Sequence, residues 1–304
     1  MKYKLVCNHC GKAFPSRSGL YVCSECQSRL RVEYEDLKVN FSNYTSLPGI
    51  YKYFPKLPFD FYKEYFVSLG EGHTPLILWE GKLKAGIKMW IKNESLNPTG
   101  TYKDRPATIA VSKAKELYAN GVVVASDGNA APAVAAYAAK GKLPCIVLMP
   151  QKTPELRYLQ SKAYGAKIFL VDGSINDCLE MSKEIAKVTG YHNCCTSSSM
   201  NPYQIEGNKT IAFEIVEDIQ NIPDWVAVPV GGGGLLSGIV KGFEELKKGK
   251  VINKIPKILA VQAKNCAPLV EAFLNNDVIR KIENVKETIA LTIALPYPLD
   301  GTVA

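Results

Sequence analysis

Four cysteines and three loops carry the residues whose types and spacing can do chemistry. Cys7-Asn8-His9-Cys10 and Cys23-Ser24-Glu25-Cys26 are two Cys-x-x-Cys knuckles separated by twelve residues. A tetrahedral zinc ion takes four thiolates, and each knuckle supplies two of them from one tight turn. A segment as short as residues 1–35 buries too little apolar surface to fold without a staple, so this metal reads as structural. Gly11 follows the first knuckle and eases its turn, whereas Gln27 follows the second, so the turn chemistry is only half present. A catalytic zinc would keep an open position and usually recruit histidine. His9, caught between two ligands, is expected to face solvent.

The first loop, Asn97-Pro98-Thr99-Gly100-Thr101-Tyr102-Lys103-Asp104-Arg105, opens a helix. The positive end of the macrodipole disfavours a cation there, which suits a lysine meant to be a nucleophile or base. The plain alternative is an exposed Lys103 paired with Asp104. The second loop, Ala125-Ser126-Asp127-Gly128-Asn129, joins an apolar strand to an alanine-rich helix. Its N–H groups and the helix N-terminus make an anion site, or else Ser126 or Asp127 is an ordinary helix cap. The third loop runs Pro229-Val230-Gly231-Gly232-Gly233-Gly234-Leu235-Leu236-Ser237-Gly238. Four successive glycines let several backbone N–H groups close on one phosphate. This run lacks the Lys-Ser/Thr of a nucleotide P-loop and the context of a dinucleotide fingerprint. A linker would not lie between a buried strand and an apolar helix.

The elements that must position these loops alternate. Short apolar runs at 122–125, 145–149, 167–171, 225–230 and 258–261 read as strands, and 106–120, 130–140, 154–164 and 175–189 as helices. Such alternation builds parallel sheets covered by helices on both faces. Ligands in these folds bind beyond the carboxyl ends of the strands, which is where the second and third loops fall. Residues 36–68, with Tyr51, Tyr53, Phe54, Phe59, Phe61, Tyr62, Tyr65 and Phe66, show no steady period. They read as an extended arm packed on the main body.

Composition narrows the class. The chain has 304 residues, 47% hydrophobic and 22% charged, enough for two domains sharing an interface. Its net charge of +8 is scattered, with one tight cluster at Lys247-Lys248-Gly249-Lys250. A solvated helix end accounts for that cluster, so nucleic acid is not an expected partner, although a modest positive field suits an anionic cofactor and substrate. No run of about 18 apolar residues occurs, and the first ten residues lack the apolar core of a signal peptide. A cytoplasmic location without membrane contact is the expectation. The remaining five of the nine cysteines have no regular spacing, which reads as buried filler in a reducing compartment. Nothing near Cys194-Cys195 activates a thiolate.

Together the three loops resemble those of fold-type II pyridoxal phosphate (PLP) enzymes, and among them the threonine synthase family, over nearly the whole chain. The resemblance implies an α/β fold of two parallel-sheet domains (tryptophan synthase β-like) with a small N-terminal zinc ribbon. Its divisions would be 1–35 for the ribbon, 36–68 for the arm, 69–120 with 205–304 for the larger PLP domain, and 121–204 for the smaller α/β domain. It makes Lys103 the Schiff-base residue, whose freed amine takes the substrate's α-proton. Asn129 would bond the cofactor's 3′-oxygen, and Gly231, Gly232, Gly233, Gly234 and Leu235 would cradle its phosphate. Glu71-Gly72-His73-Thr74-Pro75-Leu76 and Glu206-Gly207-Asn208-Lys209-Thr210 look like further family motifs, and the ribbon, with Cys7, Cys10, Cys23 and Cys26 on zinc, is similar to one in a subset of the family. The implied reaction converts O-phosphohomoserine to threonine and phosphate, in a homodimer.

Two departures keep alternatives open. Asp127 stands where the family commonly has a small Ser or Thr beside the substrate carboxylate. Diaminopropionate ammonia-lyases have a similar Ser/Thr-Asp-Gly-Asn loop in which the Asp acts as a base, and Asp127 is a candidate catalytic residue on that ground. The alternative is a helix cap facing away. The family also continues beyond Pro298-Leu299-Asp300-Gly301-Thr302-Val303-Ala304, including the partner of the pyridine nitrogen, so the larger domain is expected to look incomplete. The rival readings are a cysteate synthase-like β-replacement enzyme, an ammonia-lyase, or a non-catalytic binding or regulatory protein on the same fold.

Overall fold

A computed structural model describes residues 3–16, 18–36, 38, 46–60, 63–84, 86–219 and 221–303. The chain begins with a three-stranded antiparallel ribbon of β1 (Tyr3–Cys7), β2 (Ala13–Pro15) and β3 (Leu30–Tyr34), with β1 in the middle. Its apolar side is not free. Tyr3, Leu5, Phe14, Leu30 and Val32 pack with Ile50, Tyr51, Phe54 and Phe59, and with Ile109 and Tyr203 of the main body.

The segment expected as an extended arm instead forms a 3₁₀ helix at Gly49–Lys56 and a single turn at Lys63–Tyr65. Residues three apart eclipse in a 3₁₀ helix, and the pairs Ile50/Tyr53 and Tyr51/Phe54 are all buried. Burial of these side chains outweighs the lack of any longer period. Phe61 and Tyr62 lie outside the described residues.

A short antiparallel pair, β4 (Leu76–Leu78) and β5 (Trp90–Lys92), precedes the α/β body. Then follow α1 (Asp104–Glu116), β6 (Val122–Ala125), α2 (Ala130–Gly141), β7 (Cys145–Pro150), α3 (Leu159–Ala163), β8 (Lys167–Val171), α4 (Ile175–Thr189) and β9 (His192–Asn193). The four strands form one parallel sheet in the order β8-β7-β6-β9. Every residue of β6 is buried, as a central parallel strand requires. The stretch expected as one helix over 154–164 is broken at Tyr158, which has φ −113°, between a 3₁₀ turn at Glu155–Arg157 and α3. The helix expected at 106–120 starts two residues earlier and ends at Glu116.

The rest comprises α5 (Ile205–Asn208), α6 (Thr210–Ile219), β10 (Trp225–Pro229), α7 (Gly234–Lys248), β11 (Lys257–Val261) and α8 (Pro268–Asn275), with β10 and β11 paired in parallel. Two helix N-termini matter most, those of α1 and α7. They are brought together through α5, where Gly207 meets α1 so closely that an added Cβ would lie 2.1 Å from the Arg105 carbonyl oxygen. No side chain fits there. Among the described residues no helix is long and apolar enough to cross a membrane.

Candidate functional site

The three loops are far apart in sequence, yet they line one cavity of about 670 Å³. Its wall includes Lys103, Ser126 to Ala130 and Gly231 to Leu236, together with Arg157, Ser197–Ser198, Asn208 and Asp300. That volume suits a cofactor with a small substrate.

Lys103 is the N-cap residue of α1, half-buried, and its ammonium lies 4.9 Å from the centre of the Tyr102 ring. The pairing with Asp104 is not formed. Asp104 is fully buried and accepts from the Thr99 N–H at 3.1 Å and the Thr99 hydroxyl at 2.8 Å. Among the described residues Lys103 makes no ion pair, so its amine is left for the cavity.

Asn129 begins α2 with its side chain making no cap bond, and Asp127 does not cap the helix either. Both are exposed. The Ser126 hydroxyl accepts from the Gly128 N–H at 3.2 Å, and the Asp127 carbonyl accepts from Arg157 at 3.3 Å, which leaves the Asp127 carboxylate out of both contacts. In the third loop Gly233 takes φ +97°, a value L side chains rarely adopt, and precedes the first residue of α7. At Gly231 an added Cβ would approach the Ile293 Cα to 3.2 Å. The loop is therefore a cradle of bare backbone at a helix N-terminus, the arrangement that suits phosphate.

The two outlying motifs support the cavity rather than line it along their length. Arg105, wholly buried, reaches Glu94 at 2.7 Å with Nε and Glu214 at 2.7 Å with Nη1. Glu214 also accepts from the His73 N–H at 3.0 Å, and the Gly72 N–H donates to Asn97 at 3.0 Å. Burial opposes the charge on Glu214, but Arg105 and Lys92 outweigh it and hold the carboxyl down at about 2. Glu206 and Lys209 pair at 2.6 Å, with Tyr34 of the ribbon donating to Glu206 at 2.7 Å. Glu71, buried, accepts from Tyr137 at 2.9 Å, and burial raises its carboxyl.

The four cysteine sulfurs all lie within 4.8 Å of one another, with Cys7 to Cys26 at 3.5 Å and Cys10 to Cys23 at 3.7 Å. Zn–S bonds of about 2.3 Å in a tetrahedron set S···S at roughly 3.8 Å, so the donor set fits zinc. The second knuckle makes the same turn as the first, with Gln27 at φ +59° where Gly11 has φ +71°. Closing both knuckles on one point forces a non-glycine residue into the left-handed region. His9 is exposed.

Sequence reasoning missed Asp300, Ser197 and Ser198. Asp300 is buried in the cavity wall and accepts from both serine hydroxyls and the Ser198 N–H. Cys194 and Cys195 are fully buried, and burial raises both thiols, so neither is a nucleophile.

Residues 67–303 match the family described as pyridoxal-phosphate dependent enzyme. The threonine synthase of Methanosarcina acetivorans is 34% identical to this chain, the alignment covering 99% of this chain and 75% of the relative. That of Methanocaldococcus jannaschii is 38% identical over 98% of this chain and 75% of the relative. Maize serine racemase superposes with a TM-score of 0.60 at 27% identity, covering 72% of this chain and 64% of that one. With a lysine, an asparagine and a glycine cradle around one cavity and these matches along its length, the chain belongs to the pyridoxal-phosphate dependent enzymes of fold type II, in the threonine synthase family.

Proposed function

We propose that this chain is a PLP-dependent lyase of the threonine synthase type, converting O-phosphohomoserine to threonine and phosphate by elimination and water addition. The observation that carries the reading is the convergence of Lys103, Asn129 and Gly231–Gly234 on one cavity. The residues fit the cofactor, because the cradle is bare backbone where a side chain at Gly231 would press on Ile293, and because Lys103 has no competing ion pair among the described residues.

PLP, when bound, supplies an electron sink for charge that develops at the substrate's α-carbon. Lys103 Nζ would hold the cofactor and, when free, is the amine placed to take the α-proton. Asn129 would bond the ring oxygen, and the N–H groups of Gly231 to Leu235 would hold the cofactor phosphate. Lys152 and Arg157 in the cavity wall offset the repulsion that Asp127 would exert on an anionic substrate. Asp127 stays free to move a proton at its exposed carboxylate, and this favours the ammonia-lyase as the second reading. The four cysteines hold a structural zinc. We place the reaction in the cytoplasm, since none of the nine cysteines forms a disulfide, and in a homodimer by family analogy.

Borohydride reduction with peptide mapping tests this directly. The wild type is expected to show the visible band of lysine-bound PLP, trapped on Lys103. Lys103→Ala is expected to lose the band and to release phosphate from O-phosphohomoserine about 10²–10⁴-fold more slowly. A wild type that takes up no PLP sinks the catalytic reading, and turnover of diaminopropionate or sulfite in place of O-phosphohomoserine moves it to the alternatives.

A further inference from the structure

The cysteine ribbon touches the main body at both ends of one segment, residues 192–198, which runs from β9 into the cavity wall. At the start, the Tyr21 hydroxyl lies 2.9 Å from His192 Nδ1 and accepts from the Asn193 N–H at 3.0 Å. At the far end, the Ser197 hydroxyl (3.1 Å), the Ser198 N–H (2.9 Å) and the Ser198 hydroxyl (2.7 Å) all donate to Asp300 Oδ1. The Asp300 N–H donates in turn to the Gly232 carbonyl at 2.8 Å, inside the glycine cradle. One turn thus ties the serines to the cradle.

That turn is held from the ribbon by Arg29. Its Nη1 donates to the Thr302 hydroxyl at 2.9 Å and lies 4.0 Å from Asp300 Oδ1, and its Nη2 donates to the Leu299 carbonyl. Arg29 follows Cys26 by three residues, and its own carbonyl accepts from the Asn8 N–H at 3.0 Å, inside the first knuckle. Its backbone is therefore fixed by the fold of both knuckles. The strands of the ribbon also pack on the main body, but the two knuckles enclose no apolar core of their own and lean on the metal for their shape.

We infer that Arg29 is a positioning residue through which the four-cysteine centre sets the Asp300 turn, and with it the Ser197–Ser198 and Gly232 wall of the cavity. Ligand affinity in the cavity then depends on an intact metal centre about which the ligand itself knows nothing. The inference rests on the reading of this cavity as the PLP site. A planar fork suits the task, because one guanidinium spans two acceptors that an ammonium cannot bridge together.

The test uses full-length wild type, Arg29→Ala, Arg29→Lys and Thr302→Val. Metal content is measured by mercurial titration with a metallochromic dye, PLP affinity by absorbance titration, and backbone protection by hydrogen exchange. Arg29→Ala is expected to keep its metal, to bind PLP about tenfold more weakly, and to exchange faster at 196–200 and 298–302 but not in α4. Arg29→Lys recovers part of the loss, and Thr302→Val gives a smaller one. Stripping metal from the wild type reproduces the Arg29→Ala shift, while stripping Arg29→Ala adds little. Unchanged PLP affinity and unchanged exchange in Arg29→Ala would overturn the inference, as would equal losses on stripping in both proteins. A wild type that binds no PLP overturns the cofactor reading instead, and the exchange pattern, which needs no cofactor, then decides the link by itself.

Discussion

The two halves of the cavity stand on different foundations. The half bearing Asn129 is carried by the four-stranded sheet, where Val122 to Val124, Val147 and Leu148 are fully buried among alanines of α2. The half bearing the glycine cradle follows β10, whose pair with β11 leaves Trp225 and Leu259 more than half exposed. That half has an apolar cluster of its own, with Phe213, Val228, Val230, Leu236 and Phe243 buried, and beside it a network of charge. Arg105 with Glu214, and Lys209 with Glu206 and Glu245, are buried where α1, α5, α6 and α7 meet, and half-buried Glu94 joins Arg105 from outside those helices. An apolar core tolerates loss by degrees, whereas a buried charge network fails when one partner goes.

The sharpest way to break this contrast is Arg105→Met. It leaves the Glu214 and Glu94 carboxylates short of their buried partner, and a loss of about 3–5 kcal/mol in urea unfolding is expected. If the substitution proved neutral, the charge network would be dispensable and the comparison would collapse. Next comes Leu148→Ala in the apolar half, expected to cost about 3 kcal/mol. Leu259→Ala, half-exposed on β11, should change the same measurement by less than about 0.5 kcal/mol.

Acid sharpens the same division. The folded value of Glu214, about 2, lies below its ordinary 4.5, so its stabilisation is fully present above about pH 4.5 and is lost as pH falls through 2. The amount at stake is on the order of 3 kcal/mol. In the apolar half, burial and then Lys113 hold His192 down at about 3 against an ordinary 6.5. Its cost to stability begins at about pH 6.5, where the unfolded chain starts to take up the proton, and grows down to about 3, while the folded His192 stays neutral against Tyr21. Unfolding followed by tryptophan fluorescence across pH 7 to 2 should therefore show loss in two stages, with the steeper one absent from Glu214→Gln.

The sequence carries the site where the signal is local. Glycine runs and a lysine opening a helix announce the three loops, because backbone conformation and helix ends act over a few residues. Four cysteines at knuckle spacing do the same for the ribbon. Asp300 gives no such signal, since Asp-Gly in a turn is unremarkable and its partners Ser197 and Ser198 lie a hundred residues away. Arg29 is separated from Leu299 by 270 residues. The 3₁₀ helix at 49–56 leaves in the sequence only two apolar pairs three apart, Ile50/Tyr53 and Tyr51/Phe54, too few to stand out until the ribbon and α1 are seen to cover them.

Gly207 limits how this site can be re-engineered. With backbone meeting backbone between α5 and α1, there is no side chain whose size could be traded to slide the lysine toward or away from the glycine cradle. The distance between the two cofactor-holding ends is set once for all variants of the chain. Libraries aimed at new substrates are best confined to positions 126–128 and Thr196, which line the cavity without taking part in the hydrogen bonds of Ser197 and Ser198 to Asp300.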